Sequence, residues 1–205
     1  MTTETTRGKV WYAAYGSNLL ERRFLCYLQG GLLPESGRVH TGARDPRLPE
    51  KSVPLWLPGT VYFAMQSTTW GGTGRGLYDP DTPGRSAGRG YLITAGQFLD
   101  VVAQEMRLEP GAFDGATALP SEPGERLRLG PGCYETLVCT QRLENHPVIT
   151  MAAPWRASDI PPVALSGSYR KVIIAGLRET FGWHGDDSEQ YLAGCPGGAR
   201  PGKKI

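Results

Sequence analysis

The chain has 205 residues, of which 22 are basic and 20 acidic, for a formal net charge of +2. So balanced a charge, with no Lys/Arg block along any one element, argues against a nucleic-acid partner. With 40% hydrophobic and 20% charged residues, and no apolar run approaching the roughly 18 residues of a span, it reads as a soluble globular protein without a membrane segment.

At this length a single domain over 9–193 is the simplest reading, large enough to bury roughly two-thirds of its unfolded surface. The opening MTTETTRGK has no apolar stretch of the kind a signal peptide carries, so residues 1–8 read as a disordered lead and the cytoplasm as the expected compartment. Lys9–Ala14 then reads as a strand that breaks at Tyr15-Gly16-Ser17-Asn18. A helix-period pattern resumes at Leu19, Leu20, Arg23, Phe24, Tyr27 and Leu28 and ends at Gln29-Gly30-Gly31. Small residues between strand and helix let backbone N–H groups face a small anion or oxyanion, with the positive end of the helix dipole on the same side. The same spacing also fits an ordinary connection in which Ser17 or Asn18 caps the helix.

Residues 34–58 read as a long irregular region rich in proline. A structureless loop of that length is unusual in a compact domain, which makes it either a substrate-side lid or an arm through which two copies of the chain pair as a homodimer. Strands are expected at 59–67, 76–78 and 88–94, separated by the glycine-rich turn 70–74 and a polar turn at 80–88. Thr94 is placed to cap a helix from Ala95 to Met106. Residues 110–132 form a turn-rich excursion with a short strand near 126–129. Strands at 134–142 and 148–152 follow, then an irregular 154–162. Ser166 or Ser168 caps a helix running from Tyr169 to Phe181, Ser188–Leu192 adds one helical turn, and 194–205 reads as a flexible tail. Strands outnumber helices and do not alternate with them, which predicts an α+β fold with a small mixed, curled, barrel-like sheet and flanking helices.

The candidates for chemistry are few. In the helix after Thr94, the residues Phe98, Val101, Val102 and Glu105 lie on one side, so Glu105 ends that helix beside its apolar stripe. A carboxylate so placed is desolvated and becomes a better base near neutrality; a water-facing helix end, as at Glu109, is the alternative. Tyr15 and Tyr169 each stand beside a turn of small residues and serve either a site or the core, with the hydroxyl on a backbone carbonyl. No G-x-S-x-G elbow, Walker loop or G-x-G-x-x-G occurs. The four cysteines, Cys26, Cys133, Cys139 and Cys195, form no C-x-x-C pair and are expected as free thiols. His40, His146 and His184 are scattered, so neither a zinc site nor any other cofactor is expected.

Three stretches carry a family resemblance. Tyr15-Gly16-Ser17-Asn18-Leu19 after an apolar strand resembles the opening signature of the gamma-glutamylcyclotransferase-like superfamily. The stretch GYLITAGQFLDVVAQE, 90–105, resembles that family's strand, helix and terminal acid, with Asp100 ahead of Glu105. SGSYRKVIIAGLRETFGWHGDDSEQYL, 166–192, resembles its C-terminal helix, in which a small-residue turn, a tyrosine, an I-x-x-G core and a final Tyr-Leu recur in order. The resemblance implies a curled mixed sheet with flanking helices and a reaction in which the α-amine of a γ-glutamyl group attacks its own γ-carbonyl, releasing 5-oxoproline and an amine. It implies that Tyr15, Gly16, Ser17, Asn18 and Leu19 bind the γ-glutamyl moiety, that Glu105 moves the proton, and that Tyr169 helps close the site. The sequence departs from the family where Glu105 is followed by Met106 and Arg107 instead of glycine, and in the length of 34–58. Trp56 and the Gly42–Pro46 stretch are candidates for reshaping the leaving-group side. A pocket retained for binding without catalysis, and an amide hydrolase or acyl transferase on the same fold, remain open alternatives.

Overall fold

A computed structural model describes residues 8–33, 37–67, 70–115 and 118–200. The expected disorder of the first residues therefore lies almost wholly outside the described part, as do 34–36 of the long irregular region. Strand β1 (Lys9–Ala14) leads through a 3-10 turn (Ser17–Leu19) into helix α1 (Glu21–Gln29). A small hairpin of β2 (Gly31–Leu33) and β3 (Arg38–His40) follows, then β4 (Lys51–Pro58), β5 (Thr60–Ser67), β6 (Thr73–Asp79) and β7 (Arg85–Thr94). Helix α2 (Ala95–Glu105), strands β8 (Arg126–Arg128), β9 (Thr136–Leu143) and β10 (His146–Ala152), and helices α3 (Gly167–Phe181) and α4 (Gly185–Gly194) complete the chain.

The main sheet has the order β4-β7-β1-β10-β9-β8. Its β1–β10 pair is parallel and its other pairs antiparallel, so the mixed α+β architecture expected from the element order is present. The curl does not close into a barrel, because β4 and β8 remain edges. β1 is buried on both faces, and its side chains alternate between two cores as a pleated strand requires. Trp11, Ala13 and Tyr15 join Val61, Phe63, Val172, Ile173 and Leu177 on one side. Val10, Tyr12 and Ala14 join Phe24, Leu28, Phe98, Val101 and Val102 on the other. Helices α1 and α2 therefore cover one face, while α3, α4 and the β5–β6 hairpin cover the other.

The region 34–58 is not a structureless loop. It contributes β3 and the edge strand β4, which pairs with β7 over its whole length. The prolines that conceal β4 in the sequence, Pro54 and Pro58, are tolerated because an edge strand has one side on which no ladder N–H is needed. The start of α1 also differs from expectation. Neither Ser17 nor Asn18 caps it; the N-cap position is Leu20, without a side-chain cap. The N–H groups of Leu19 and Leu20 close the 3-10 turn onto the carbonyls of Gly16 (3.1 Å) and Ser17 (3.2 Å). The first N–H of α1, that of Glu21, donates to Glu179 Oε2 at 3.0 Å, so the positive end of this helix meets a carboxylate of α3. Arg89 bridges the same carboxylate (3.0 Å) and that of Glu21 (3.1 Å).

Thr94 and Gln97 form the capping box of α2, and Ser166 caps α3 through the N–H of Tyr169. Helix α4 is ten residues long, where a single turn was expected. Residues 195–200 run against β5: Phe63 N–H donates to the Pro196 carbonyl at 2.7 Å, Arg170 donates to the Gly198 carbonyl, and Arg200 pairs with Glu189 at 2.6 Å. Composition alone hides this, because the anchoring contacts use backbone carbonyls that any residue supplies.

Helix α3 lies so close to the 3-10 turn that a Cβ added at Gly176 would sit 2.5 Å from Leu19 Cβ and 2.6 Å from the Leu20 nitrogen. Gly176→Ala should therefore destabilise the fold by about 1–3 kcal/mol through overpacking, in spite of alanine's better helix propensity. Urea denaturation checks it. An unchanged or raised midpoint would refute the close packing of α3 on this turn.

Candidate active site

Past the C-terminal end of β1 lies a cavity of about 100 Å³, bounded by the turn that follows the strand, the end of α2, β6 and the start of α3. Tyr15, Gly16, Ser17 and Asn18 reach it from the turn, Glu105 from the last position of α2, and Tyr169 from the first turn of α3. Leu19 does not. Its side chain is fully buried in the core, and its carbonyl accepts from Arg89 at 3.2 Å. Trp56 also lies elsewhere, in an aromatic cluster with Phe181 (5.4 Å) and Trp183 (5.9 Å) and beneath the Arg85 guanidinium. The Gly42–Pro46 stretch acts on α2, not on the cavity wall: Arg44 pairs with Asp100 at 2.9 Å and Asp114 at 2.6 Å, and Gly42 N–H donates to Gln104.

The turn and the end of α2 are joined by one amide. Asn18 Nδ2 donates to Glu105 Oε1 at 3.2 Å and to the Tyr12 hydroxyl at 3.3 Å, while the Tyr91 hydroxyl donates to the Asn18 carbonyl at 2.8 Å. Asn18 is buried, and its Oδ1 has no hydrogen-bond partner among the described residues. That oxygen is an acceptor beside the carboxylate, suited to an N–H from a ligand. Glu105 itself is half-buried. Five tyrosines surround it. Burial first, and then neighbouring charge that includes the Glu105 carboxylate, pushes the hydroxyls of Tyr12, Tyr15, Tyr27 and Tyr134 above the ordinary phenol value. Tyr169 is pushed up to about 12, again by burial foremost. All five stay neutral at physiological pH and act as dipoles.

The two tyrosines flagged by the sequence do different things. Tyr15 donates its hydroxyl proton to the Met151 carbonyl at 2.9 Å and packs on Tyr78, so that proton is occupied by the core. The Tyr169 oxygen instead accepts the Gly76 N–H at 3.2 Å and is further held by the backbone of Ser17. An oxygen that accepts from the backbone keeps its own hydrogen available to donate. Glycines make the approach possible: a Cβ at Gly76 would stand 2.8 Å from the Tyr169 oxygen, and one at Gly16 3.1 Å from it. Trp70 stacks on the Tyr169 ring at 4.5 Å and holds it in place.

Solved structures with this arrangement of elements exist. An uncharacterized protein from Homo sapiens is similar over 97% of this chain and 92% of its own, with 16% identity and a TM-score of 0.53. A gamma-glutamyl cyclotransferase is similar over 96% of this chain and 91% of its own, with 15% identity and a TM-score of 0.50. The chain shares its fold with that gamma-glutamyl cyclotransferase. No family model matches the sequence. Histone deacetylase 5 of Arabidopsis thaliana is 29% identical over 198 residues, 89% of this chain but 30% of that protein, so the chain spans under a third of that relative's length.

Within this cyclotransferase-like frame, the cavity has a second set of residues that sequence reasoning missed. Arg23, Arg38, Arg75 and Arg107 line it, together with His40 and Tyr27. Arg23 carried a signal, being an arginine inside the apolar stripe of α1; it is buried, with its guanidinium 5.0 Å from the centre of the Trp70 ring. Arg38 and His40 come from β3, inside the region read as loop, and Arg75 from a strand too short in the expectation to include it. No spacing connects them.

His40 is almost fully buried and packs on Tyr27 with ring centres 4.1 Å apart. Burial, then the charge of Arg38 and Arg23, lowers its pKa from 6.5 to about 4. The unfolded chain therefore takes up a proton at this site before the folded one does. The stability held by the neutral ring is complete above pH 6.5 and declines as pH falls from there toward 4. From pH 7 to pH 5 the His40 contribution to this decline is about 2 kcal/mol. Comparing the pH dependence of urea midpoints for the wild type and His40→Leu checks it; parallel curves would show that His40 does not titrate as described.

Proposed function

We propose that the protein is a cyclotransferase that cleaves a γ-glutamyl amide by intramolecular attack of the substrate's α-amine, releasing 5-oxoproline and an amine. The observation that carries this reading is the Asn18–Glu105 hydrogen bond, which holds a carboxylate at the turn where the γ-glutamyl group would lie. The α-ammonium of the substrate would donate to Glu105 and to the open Oδ1 of Asn18. Glu105 takes one of its protons, and the neutral amine attacks the γ-carbonyl carbon to close a five-membered ring. Because the reaction is intramolecular, orientation supplies much of the acceleration. Charge develops on the carbonyl oxygen, and the Tyr169 hydroxyl is the side-chain donor best placed to meet it. The tetrahedral centre then collapses and the C–N bond to the leaving group breaks: Glu105 passes its proton to the departing nitrogen, takes the second proton of the new ring nitrogen, and hands that one to the released amine, which leaves as its ammonium ion. Every atom of the amide is accounted for without added water.

The roles divide cleanly. Glu105 is the proton carrier, Asn18 positions it and receives the amine, and Tyr169 stabilises the oxyanion. Gly16 gives the Tyr169 oxygen room, and Ser17 holds it through the backbone. Tyr15 fixes the near end of β1 against Met151, and Leu19 anchors the turn in the core.

Incubation of the purified protein with γ-glutamyl-alanine, γ-glutamyl-amines and glutathione, followed by mass spectrometry of 5-oxoproline, tests the reading. Glu105→Gln should lower turnover by about 100-fold or more, as expected for loss of a general base. Tyr169→Phe should lower kcat by about 10- to 100-fold with KM little changed, since the lost donor acts on the transition state. In water enriched in heavy oxygen, cyclisation leaves the acidic product unlabelled, whereas hydrolysis would yield labelled glutamate. Labelled glutamate, or full activity in Glu105→Gln, would overturn the reading.

A further inference from the structure

In the proposed reaction the α-ammonium of the γ-glutamyl group meets Glu105 and Asn18, and its γ-carbonyl oxygen meets Tyr169. One charged end of the group has no part in those contacts. The α-carboxylate shares a carbon with the attacking amine, so it enters the cavity with it and changes no bond. A carboxylate withdrawn from water needs a charge-assisted partner.

Arg75 suits that task by its own contacts. It borders the cavity from β6, one residue before Gly76, whose N–H donates to the Tyr169 oxygen and whose carbonyl accepts from Tyr134 at 2.8 Å. Its Nη1 donates to the Cys133 sulfur at 3.1 Å and its Nη2 to the Gln66 carbonyl at 2.8 Å. Its Nε is buried and has no hydrogen-bond partner among the described residues. The strand opposite is shaped around this side chain. In the β5–β6 hairpin Ala64 pairs with Arg75 and Gln66 with Gly74, so Met65 is the extra residue of a β-bulge, and it takes a φ of 55°. A positive φ is unfavourable for methionine, and a bulge re-aims the groups beside it. The group re-aimed here is the Gln66 carbonyl, which holds Nη2. A guanidinium oriented by a sulfur and a carbonyl, with N–H groups to spare beside a cavity, is built to receive a carboxylate.

We propose that Arg75 is a specificity-determining residue that receives the α-carboxylate of the γ-glutamyl group. It thereby selects γ-glutamyl amides over 4-aminobutanoyl amides, which keep the amine and the reacting carbonyl and lack only that carboxylate. This rests on the cyclotransferase reading for the pose of the γ-glutamyl group, but the selection is a statement about binding and is measured without turnover.

The test uses the full chain carrying Glu105→Gln and isothermal titration with γ-glutamyl-propylamide and 4-aminobutanoyl-propylamide. A charge-assisted hydrogen bond corresponds to roughly 10-fold or more in affinity, so the γ-glutamyl compound should bind tighter by about that factor. Adding Arg75→Met should reduce the advantage to about twofold or less, and Arg75→Lys should keep an intermediate one, because it retains the charge and loses the fork. A merely structural role would weaken both amides alike and leave their ratio unchanged. Equal affinity for the two, a preference for the 4-aminobutanoyl amide, no binding of either, or an advantage that survives Arg75→Met would overturn the proposal. Should Arg75→Met fail to fold, Arg75→Lys decides the matter, since the full advantage in that variant would equally refute the fork. Turnover by the wild type is scored separately. The preference without 5-oxoproline would remove the cyclotransferase reading and leave the carboxylate site standing; 5-oxoproline without the preference would do the reverse.

Discussion

The site depends on one buried carboxamide. Asn18 is the place where the turn after β1 and the end of α2 touch through polar atoms, and a buried polar group must be satisfied or its desolvation remains uncompensated. Its amide nitrogen serves Glu105 and Tyr12, and its backbone carbonyl is held by Tyr91. An amide suits this task because it can donate to a carboxylate without competing for its proton. Tyr12 can take part only because the pleat of β1 aims it at the face covered by α1 and α2. A register slip of one residue would put Trp11 there and remove the hydroxyl. The sheet pairing and the position of the acid are therefore one constraint seen at two scales.

The opposite face of the sheet controls the other half of the site. Helix α3 presses on the 3-10 turn at Gly176, and the same helix carries Tyr169 in its first turn, so the packing that fixes Leu19 also sets how far Tyr169 reaches. The Tyr169 oxygen is then met by the N–H of Gly76 from β6, while Trp70 stacks on its ring. Three segments far apart in the chain converge on one hydroxyl, and each brings a group that any shift in packing would withdraw. Arg89 strengthens the same junction by tying Glu179 of α3 to Glu21 at the start of α1. The dipole of α1, which on spacing alone could have served an anion in the cavity, is occupied by that junction instead.

What the sequence disclosed follows from which interactions are local. The Thr94 cap, the serine cap at 166 or 168 and the short apolar run of β1 are all written within a few residues, and they located α2, α3 and the central strand. Glu105 was legible because helical periodicity places it beside Phe98, Val101 and Val102. The edge strand β4 was not, since its prolines mimic loop chemistry and only its position at an edge makes them tolerable. Residues 195–200 escaped because glycine and proline read as loop while the backbone still bonds to β5. The arginines of the cavity come from α1, β3, β6 and the residues after α2, and only tertiary packing brings such separated cations together. The difference between Tyr15 and Tyr169 was equally hidden, because it turns on whether the hydroxyl meets a carbonyl or an N–H.

The ionisation states of the lining restrict the chemistry further. Tyrosines raised by burial do not lose protons near neutrality, and a histidine lowered to about 4 does not gain one. The guanidinium groups are permanent charges. Among the described lining residues Glu105 is the one carboxylate, while the tyrosines, the histidine and the arginines offer fixed dipoles or fixed charges. In the proposed reaction, an environment that is fixed before the substrate arrives would need little reorganisation as charge moves from nitrogen to oxygen. The many aromatic hydroxyls would share one physical role in that reaction: they surround the Glu105 carboxylate with groups that stay neutral.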